Sequence, residues 1–357
     1  MAGIVRYVAR HSLKQTAIVE GLRRRIIAGE FAVGSKLPTV GELEKTFDAS
    51  RVTVQRAVGY LCSSGYLFTR AREGIYVSPN PPHLCNFGLL IPQQPHQQFF
   101  IALQQEALRI SDGPERLDGM SRRVTVFHEV PCRNEDVAGA HRALIEEVDA
   151  HRMAGLIFAM PAPRFGGTPV LADWSLPHVV IGAMPDVPGV SIEGFMQMAI
   201  DHLLARGRRR IAVIVSAESS REAAFADVDW RGLSLDERWV QGVSLNAPHW
   251  AGPLVRLLLS SGGTRPDGLI IADDNFVPAA SAGIQAARVR VPEDLDVVAH
   301  ANFPYLTPCS VPAVRIGYDA KRILNTCIDL IVQQRKGLQV PKVTHIPASL
   351  GEAGEDS

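Results

Sequence analysis

The chain has 357 residues, 46% hydrophobic and 21% charged, which excludes a disordered polymer and leaves room for two cored domains. Its formal charge is zero but unevenly placed: residues 1–79 hold 12 Lys and Arg against 6 Asp and Glu, and the remainder holds 25 against 31. A basic first segment fits a polyanionic partner, whereas the acidic remainder does not.

Met1–Lys14 is polar and broken by Arg6, Arg10 and Lys14, so no secretory leader is expected there. Gln15–Ala28 reads as an amphipathic helix with Ile18, Val19, Leu22, Ile26 and Ile27 on one side, stopped by Gly29. Glu42–Phe47, closed by Asp48-Ala49, reads as a support helix. Ser50 is a good N-cap for the helix that follows, in which Val54, Ala57, Val58 and Leu61 share one face. That leaves Arg51, Thr53, Gln55 and Arg56 on other faces near the helix start, where first turns can meet bases and phosphates in a major groove. Tyr66-Leu67-Phe68 and Ile75-Tyr76-Val77 read as two short strands around a charged tip. Helix, turn, helix and β-hairpin together predict a winged helix-turn-helix.

These residues carry a family resemblance. Leu37-Pro38-Thr39, Ala49-Ser50-Arg51-Val52-Thr53-Val54, Arg56-Ala57, Ser64-Gly65-Tyr66-Leu67 and Gly74-Ile75-Tyr76-Val77 resemble the GntR-family DNA-binding domain over about residues 13–78. The chain departs from that family at Gly41, where Arg is usual, and at Arg72-Glu73, where the wing tip is usually Gly and a basic residue. The resemblance implies a double-stranded DNA operator as partner. Its contacts are expected from Thr39, Ser50, Arg51, Thr53, Gln55, Arg56 and, in the wing, Arg72. Arg51 and Arg56 suit phosphates, and Thr53 and Gln55 suit base edges.

Ser78-Pro79-Asn80-Pro81-Pro82-His83 predicts a semi-rigid, extended joint, with residues 79–83 as linker between domains at 1–78 and 84–350. Beyond it, short apolar runs alternate with helical patterns. Strands are expected at Asn86–Pro92, Arg123–Val130, Gly155–Met160, His178–Gly182, Arg210–Ser216, Gly268–Ala272 and Asp296–His300. Helices are expected at Phe99–Ile110, Asp136–His151, Gln197–Arg206, around Val255–Ser260, Ala279–Ala287 and Asp319–Arg335. This alternation predicts an α/β fold with parallel sheet, and more elements than one sheet usually carries, hence two lobes. Residues 351–357 read as a disordered tail. No run approaches the roughly 20 apolar residues of a membrane span. The five cysteines are far apart, as expected of free thiols in a cytoplasmic protein.

A second resemblance enters at Ile192-Glu193, at Ala205-Arg206-Gly207-Arg208-Arg209-Arg210-Ile211-Ala212, at Val291-Pro292-Glu293-Asp294-Leu295-Asp296-Val297-Val298 and at Pro312-Ala313-Val314-Arg315-Ile316. These are similar to the LacI-type regulatory domain. The resemblance implies a two-lobed, Rossmann-like, parallel-sheet fold of periplasmic-binding-protein type I, with a small-molecule effector, often a sugar, between the lobes. It implies ligand contacts at Arg221, Asp273 and Asp274, and at Phe99 and Phe100 after the first strand. The family's paired aspartates are replaced by Ala301-Asn302, which removes one strong acceptor for sugar hydroxyls and leaves Asn302 as the candidate. Trp174 and Trp230 offer stacking surface in compensation.

The whole reads as a ligand-responsive transcription regulator, a repressor acting as a homodimer. The rival is a winged helix fused to an enzymatic domain acting on a small metabolite. Against that rival, no HExxH, P-loop, CxxC or GxSxG pattern occurs, and only Lys321, Lys336 and Lys342 follow residue 80 as candidate cofactor lysines. No metal or cofactor is expected.

Overall fold

The computed structural model describes residues 13–92, 97–113, 116–117, 119–130, 142–161, 176–218, 225, 228–229, 236–260 and 264–351. Three helices open it: α1 (Leu13–Ile27), α2 (Val40–Phe47) and α3 (Arg51–Ser63), followed by strands β1 (Leu67–Arg70) and β2 (Gly74–Val77). The predicted stripe of α3 is the buried one. Val54, Ala57, Val58 and Leu61 meet Ile18, Val19, Leu22 and Ile26 of α1, together with Leu43, Tyr66, Leu67 and Val77. Ile27 stands at the rim and is 41% exposed, because it lies one position beyond the stripe. Strands β1 and β2 pair antiparallel, Leu67 opposite Val77 and Arg70 opposite Gly74. Arg72 turns the tip at φ 63°.

The joint is non-helical over residues 78–81 and extended at Pro81 (φ −71°, ψ 138°), as expected, but its last two residues open a helical turn, α4 (Pro82–Cys85), with proline in its first turn, where the missing N–H costs no hydrogen bond. It feeds directly into β3 (Asn86–Pro92), whose seven residues are all buried. The joint is packed. His83 stacks on Tyr66 with ring centroids 5.5 Å apart, the Tyr66 hydroxyl donates to the His151 carbonyl at 2.6 Å, and Ser121 N–H donates to Asn80 Oδ1 at 2.8 Å.

After β3 come α5 (Gln98–Asp112), the short pair β4 (Arg116–Leu117) and β5 (Met120–Ser121), β6 (Arg123–Val130), α6 (Arg142–Asp149), β7 (Gly155–Phe158), β8 (His178–Ile181) and β9 (Gly189–Glu193). The next run is α7 (Phe195–Ala205), β10 (Ile211–Ser216), β11 (Val240–Val243), α8 (Ala251–Ser260), β12 (Gly268–Ile271), α9 (Val277–Ala286), β13 (Asp296–Phe303) and β14 (Val314–Asp319). The chain closes with α10 (Ala320–Arg335), β15 (Val343–Pro347) and β16 (Ser349–Leu350). Two six-stranded sheets result, ordered β15-β9-β8-β7-β3-β6 and β11-β10-β12-β13-β14-β16. All their pairings are parallel except β14 with β16.

Each sheet is one lobe, and three crossovers join them, after β9, β14 and β15. Two of these are tied side by side where Ala348 N–H donates to the Glu193 carbonyl at 2.9 Å. Some of the residues that resemble the LacI type are structural, at the amino-terminal edge of the second sheet. Arg206 Nε and Arg208 Nε grip Asp296 at 2.9 and 2.6 Å. Burial opposes ionisation of Asp296, but these hydrogen bonds hold its carboxyl below the usual range. Among the described residues no helix is long and apolar enough to cross a membrane.

Candidate nucleic-acid interface and effector cleft

In the winged domain the candidate DNA residues surround two helix starts. Thr39 caps α2 in a capping box: its backbone N–H donates to Glu42 Oε2 at 2.7 Å, and Glu42 N–H donates back to Thr39 Oγ1 at 3.3 Å. The backbone hydrogen bond from Thr39 holds the Glu42 carboxyl below its ordinary range. Ser50 caps α3, accepting from Thr53 N–H at 3.4 Å, while the two hydroxyls lie 2.9 Å apart. Part of the Thr39, Ser50 and Thr53 hydrogen-bonding capacity therefore shapes the helix ends. Arg51, Gln55 and Arg56 are exposed, and beside them Val52 is 57% exposed. Val52 was not singled out from the sequence; an apolar residue off the buried stripe was the available signal. Of the α1 arginines, Arg23 lies over the Tyr66 ring at 5.6 Å and Arg25 over Phe31 at 4.5 Å with Glu30 at 2.7 Å, so two of the three serve the fold. In the wing, Arg70 rests on Tyr76 at 4.7 Å and faces Glu73 at 3.6 Å, while Arg72 is exposed at the tip.

The cleft is a product of strand order. In each lobe the first strand lies between the second and the third, β3 between β6 and β7, and β10 between β11 and β12. Such reversals open a crevice at the carboxyl ends of the strands, where ligands of α/β sheets bind. The two edges face each other: Gln98 N–H, at the start of α5 in one lobe, donates to Asn275 Oδ1 of the other at 3.1 Å.

At the β10 end, Ser216 and Ser244 hydroxyls donate to Glu218 at 2.8 and 2.6 Å, and Leu245 N–H adds bonds at 3.1 Å. Burial opposes ionisation of Glu218, and these donors outweigh it and hold the carboxyl below its ordinary range. At the β12 end, Asp273 accepts from the backbone and side-chain N–H of Asn275 at 2.9 and 2.7 Å, and burial raises its carboxyl above the ordinary range.

Asp274 turns inward and is 2% exposed. Asn302 Nδ2 donates to its Oδ2 at 2.6 Å, and His300 Nδ1 lies 3.8 Å from its Oδ1. The His300 ring sits between Phe195 and Tyr318, at centroid distances of 5.0 and 5.6 Å. Asn302 Oδ1 is buried and has no hydrogen-bond partner among the described residues.

The structure thus gathers Asp273, Asp274 and Asn302 at one strand edge, with Asp274 and Asn302 bonded to each other beneath it. Phe99 is partly buried at the core margin, and Phe100 lies in the core. Arg221, Trp174 and Trp230 lie outside the described residues. Sequence reasoning did not single out Glu218, Asn275 or Tyr305. The Tyr305 hydroxyl crosses to Glu106 of α5 at 3.1 Å, and Glu106 is fully buried and forked by Arg109. Ser216-Ala217-Glu218 directly after a strand was a legible signal; Tyr305 to Glu106 was not. Among the described residues no group of three or more His, Cys, Asp or Glu is placed to hold a metal ion.

Comparison with known proteins accords with this anatomy. Residues 14–77 match the bacterial regulatory proteins of the gntR family, and residues 200–350 match the periplasmic binding protein-like domain. The arabinose metabolism transcriptional repressor of Halalkalibacterium halodurans is 24% identical over 90% of this chain and 90% of its own. A LacI-family regulatory protein of Chloroflexus aggregans superposes with TM-score 0.55 at 21% identity, over 74% of this chain and 96% of its own. The transcriptional regulator CelR in complex with cellobiose superposes with TM-score 0.53 at 18% identity, over 95% of this chain and 97% of its own. The chain thus joins a gntR-family winged helix-turn-helix, matched over residues 14–77, to a periplasmic-binding-protein-like effector domain, matched over residues 200–350, the combination of a ligand-responsive DNA-binding regulator.

Proposed function

We propose that this ligand-responsive DNA-binding regulator is a repressor that acts as a homodimer. In this reading Arg51 and Arg56 bind phosphates, Gln55 and Thr53 read base edges, and Thr39 and Arg72 contact the flanking backbone. The observation that carries it is one chain holding both a winged helix with a bare polar first turn and two lobes whose strand ends face each other across Gln98 and Asn275. A small molecule between the lobes changes their closure, and closure changes the spacing of two winged helices across half-sites about one DNA turn, ~34 Å, or a multiple apart. Ligand and DNA affinities are then reciprocally coupled.

Asp273, Glu218 and Phe99 form the described part of the effector site, and Arg221 supplies its cation. The relatives above are named for arabinose metabolism and for a cellobiose complex. Here Ala301 offers no acceptor, and Asn302 and Asp274 engage each other. The effector is accordingly a sugar-related or other small metabolite rather than a simple aldose in the family pose. Thermal stability against a metabolite panel, followed by operator binding with the best hit, tests this. A ligand at 100 times its dissociation constant adds about 2.7 kcal/mol. Strong stabilisation by one simple sugar, with a matching change in operator affinity, would overturn this exclusion of simple aldoses. A hit that leaves operator affinity unchanged would end the coupling.

A further inference from the structure

The winged domain does not merely abut the first lobe. Between them opens a cleft of about 710 Å³, walled on one side by Tyr60, Ser63 and Ser64 at the end of α3 and on the other by Arg122, Arg123 and Arg152. Small-molecule sites span this size range. Its charge is lopsided. Among the described residues Glu147 is the one acid on the wall, and Arg152 already holds it in a fork at 2.6 and 2.9 Å. Arg122 donates to the neutral Asn325 at 2.9 Å, with Asp329 of α10 in its field. Arg123 is exposed to the cleft and makes no hydrogen bond or ion pair among the described residues.

The cleft is not part of the DNA face. Arg51 and Ser63 stand at opposite ends of α3, about 18 Å apart at 1.5 Å per residue. Nor is it the interlobe crevice, which lies at the carboxyl ends of β3 and β10, whereas Asn86 and Arg123 on the cleft wall begin β3 and β6. The cleft therefore lies at the amino-terminal edge of its sheet, across the lobe from the crevice.

We propose that this junction cleft is a second ligand site, for a small phosphate-class anion, and that its occupancy clamps the winged domain to the first lobe. A guanidinium fork recognises phosphate oxygens bidentately. On the winged-domain wall Ser63 and Ser64 already donate to the Tyr60 and Leu61 carbonyls, so the neutral donor is the Ser78 hydroxyl, which accepts from Asn80 N–H at 3.2 Å and keeps its own proton for the anion. Because the two walls belong to different domains, the anion binds the docked arrangement in preference to an undocked one. By linkage it shifts the population of that arrangement. The coupling to DNA, though not the site itself, rests on the regulator reading above.

Calorimetric titration of the full chain with glycerol 3-phosphate and with inorganic phosphate, at matched ionic strength against chloride, tests the site. The wild type should bind glycerol 3-phosphate saturably. Arg123→Gln should weaken it about tenfold or more, with an unchanged melting temperature in the absence of anion. Asp273→Asn should bind as the wild type does. Absence of saturable binding of either probe up to about 10 mM overturns the site. So does an Arg123→Gln variant that binds normally, or an Asp273→Asn variant that does not, since the latter places the anion between the lobes. Operator titration with saturating glycerol 3-phosphate should then shift DNA affinity several-fold in the wild type and not in Arg123→Gln. Binding without that shift keeps the site and overturns the clamp.

Discussion

The winged domain and the effector domain use their polar residues in opposite ways. On α3, Arg51, Gln55 and Arg56 are exposed and make no hydrogen bond or ion pair among the described residues. In the effector domain, Glu106, Asp274, Asp296 and Asn302 are buried, and each is bonded to another part of the chain. A surface for a rigid double helix can be carried by one element, which leaves its side chains unengaged. A cleft is assembled from many strand ends, and much of its polarity holds those ends in place. A polar residue near the cleft is therefore as much architecture as recognition, and mutation should separate the two roles.

The largest effect is expected at Asp296. Replacing it with Asn removes the shared anion from Arg206 and Arg208 and should lower stability by about 3 kcal/mol, the lower end for a broken buried pair because Arg206 is half exposed. Urea unfolding measures this, and an unchanged midpoint would make the two arginine bonds ornamental. Next comes acid. Burial, with Arg335 nearby, lowers His83 from 6.5 to about 4, so the folded joint resists a proton that the unfolded chain accepts. Stability is full above pH 6.5 and falls as pH drops toward 4, by about 2 kcal/mol after allowance for partial solvent contact. His83→Phe keeps the stack on Tyr66 and should flatten that part of the pH profile.

Smaller effects should sharpen the contrast on α3. Gln55→Ala should relax one or two operator positions by about 1–2 kcal/mol each. Arg56→Ala should weaken all sequences alike and lower the salt slope by about one, as a competition series against salt would show. Ser50→Ala should cost about 1 kcal/mol of winged-domain stability through its lost cap, measured by thermal unfolding.

The same contrast governs what the sequence disclosed. The buried face of α3 and the limits of β3 and β6 were legible because helical period and continuous apolar runs are local signals. Strands β9, β11, β14 and β15 were not singled out. β11 and β15 lie at sheet edges with mostly half-exposed or exposed residues, so their composition resembles loop. In the proline-rich joint the helical turn from Pro82 was not legible, because nothing nearby announces that His83 will find Tyr66. At the cleft, Asp273 and Asp274 follow a recognisable strand. The bond from Tyr305 to Glu106 joins residues 199 positions apart, and only the topology brings them together.

The packed joint has one more consequence, and it concerns avidity. The homodimer proposed above would hold two reading heads, and the second one binds at an effective concentration set by how widely it roams once the first is seated. A loose tether would spread the second head over a large volume and let it accept many half-site separations. Docked through Tyr66, His83 and the His151 carbonyl, each head is confined. The second contact then comes at high local concentration for one separation and at almost none for the others. Tyr66→Phe, which keeps the ring and deletes the hydroxyl anchor, should widen the tolerated spacing before it weakens binding to a single half-site.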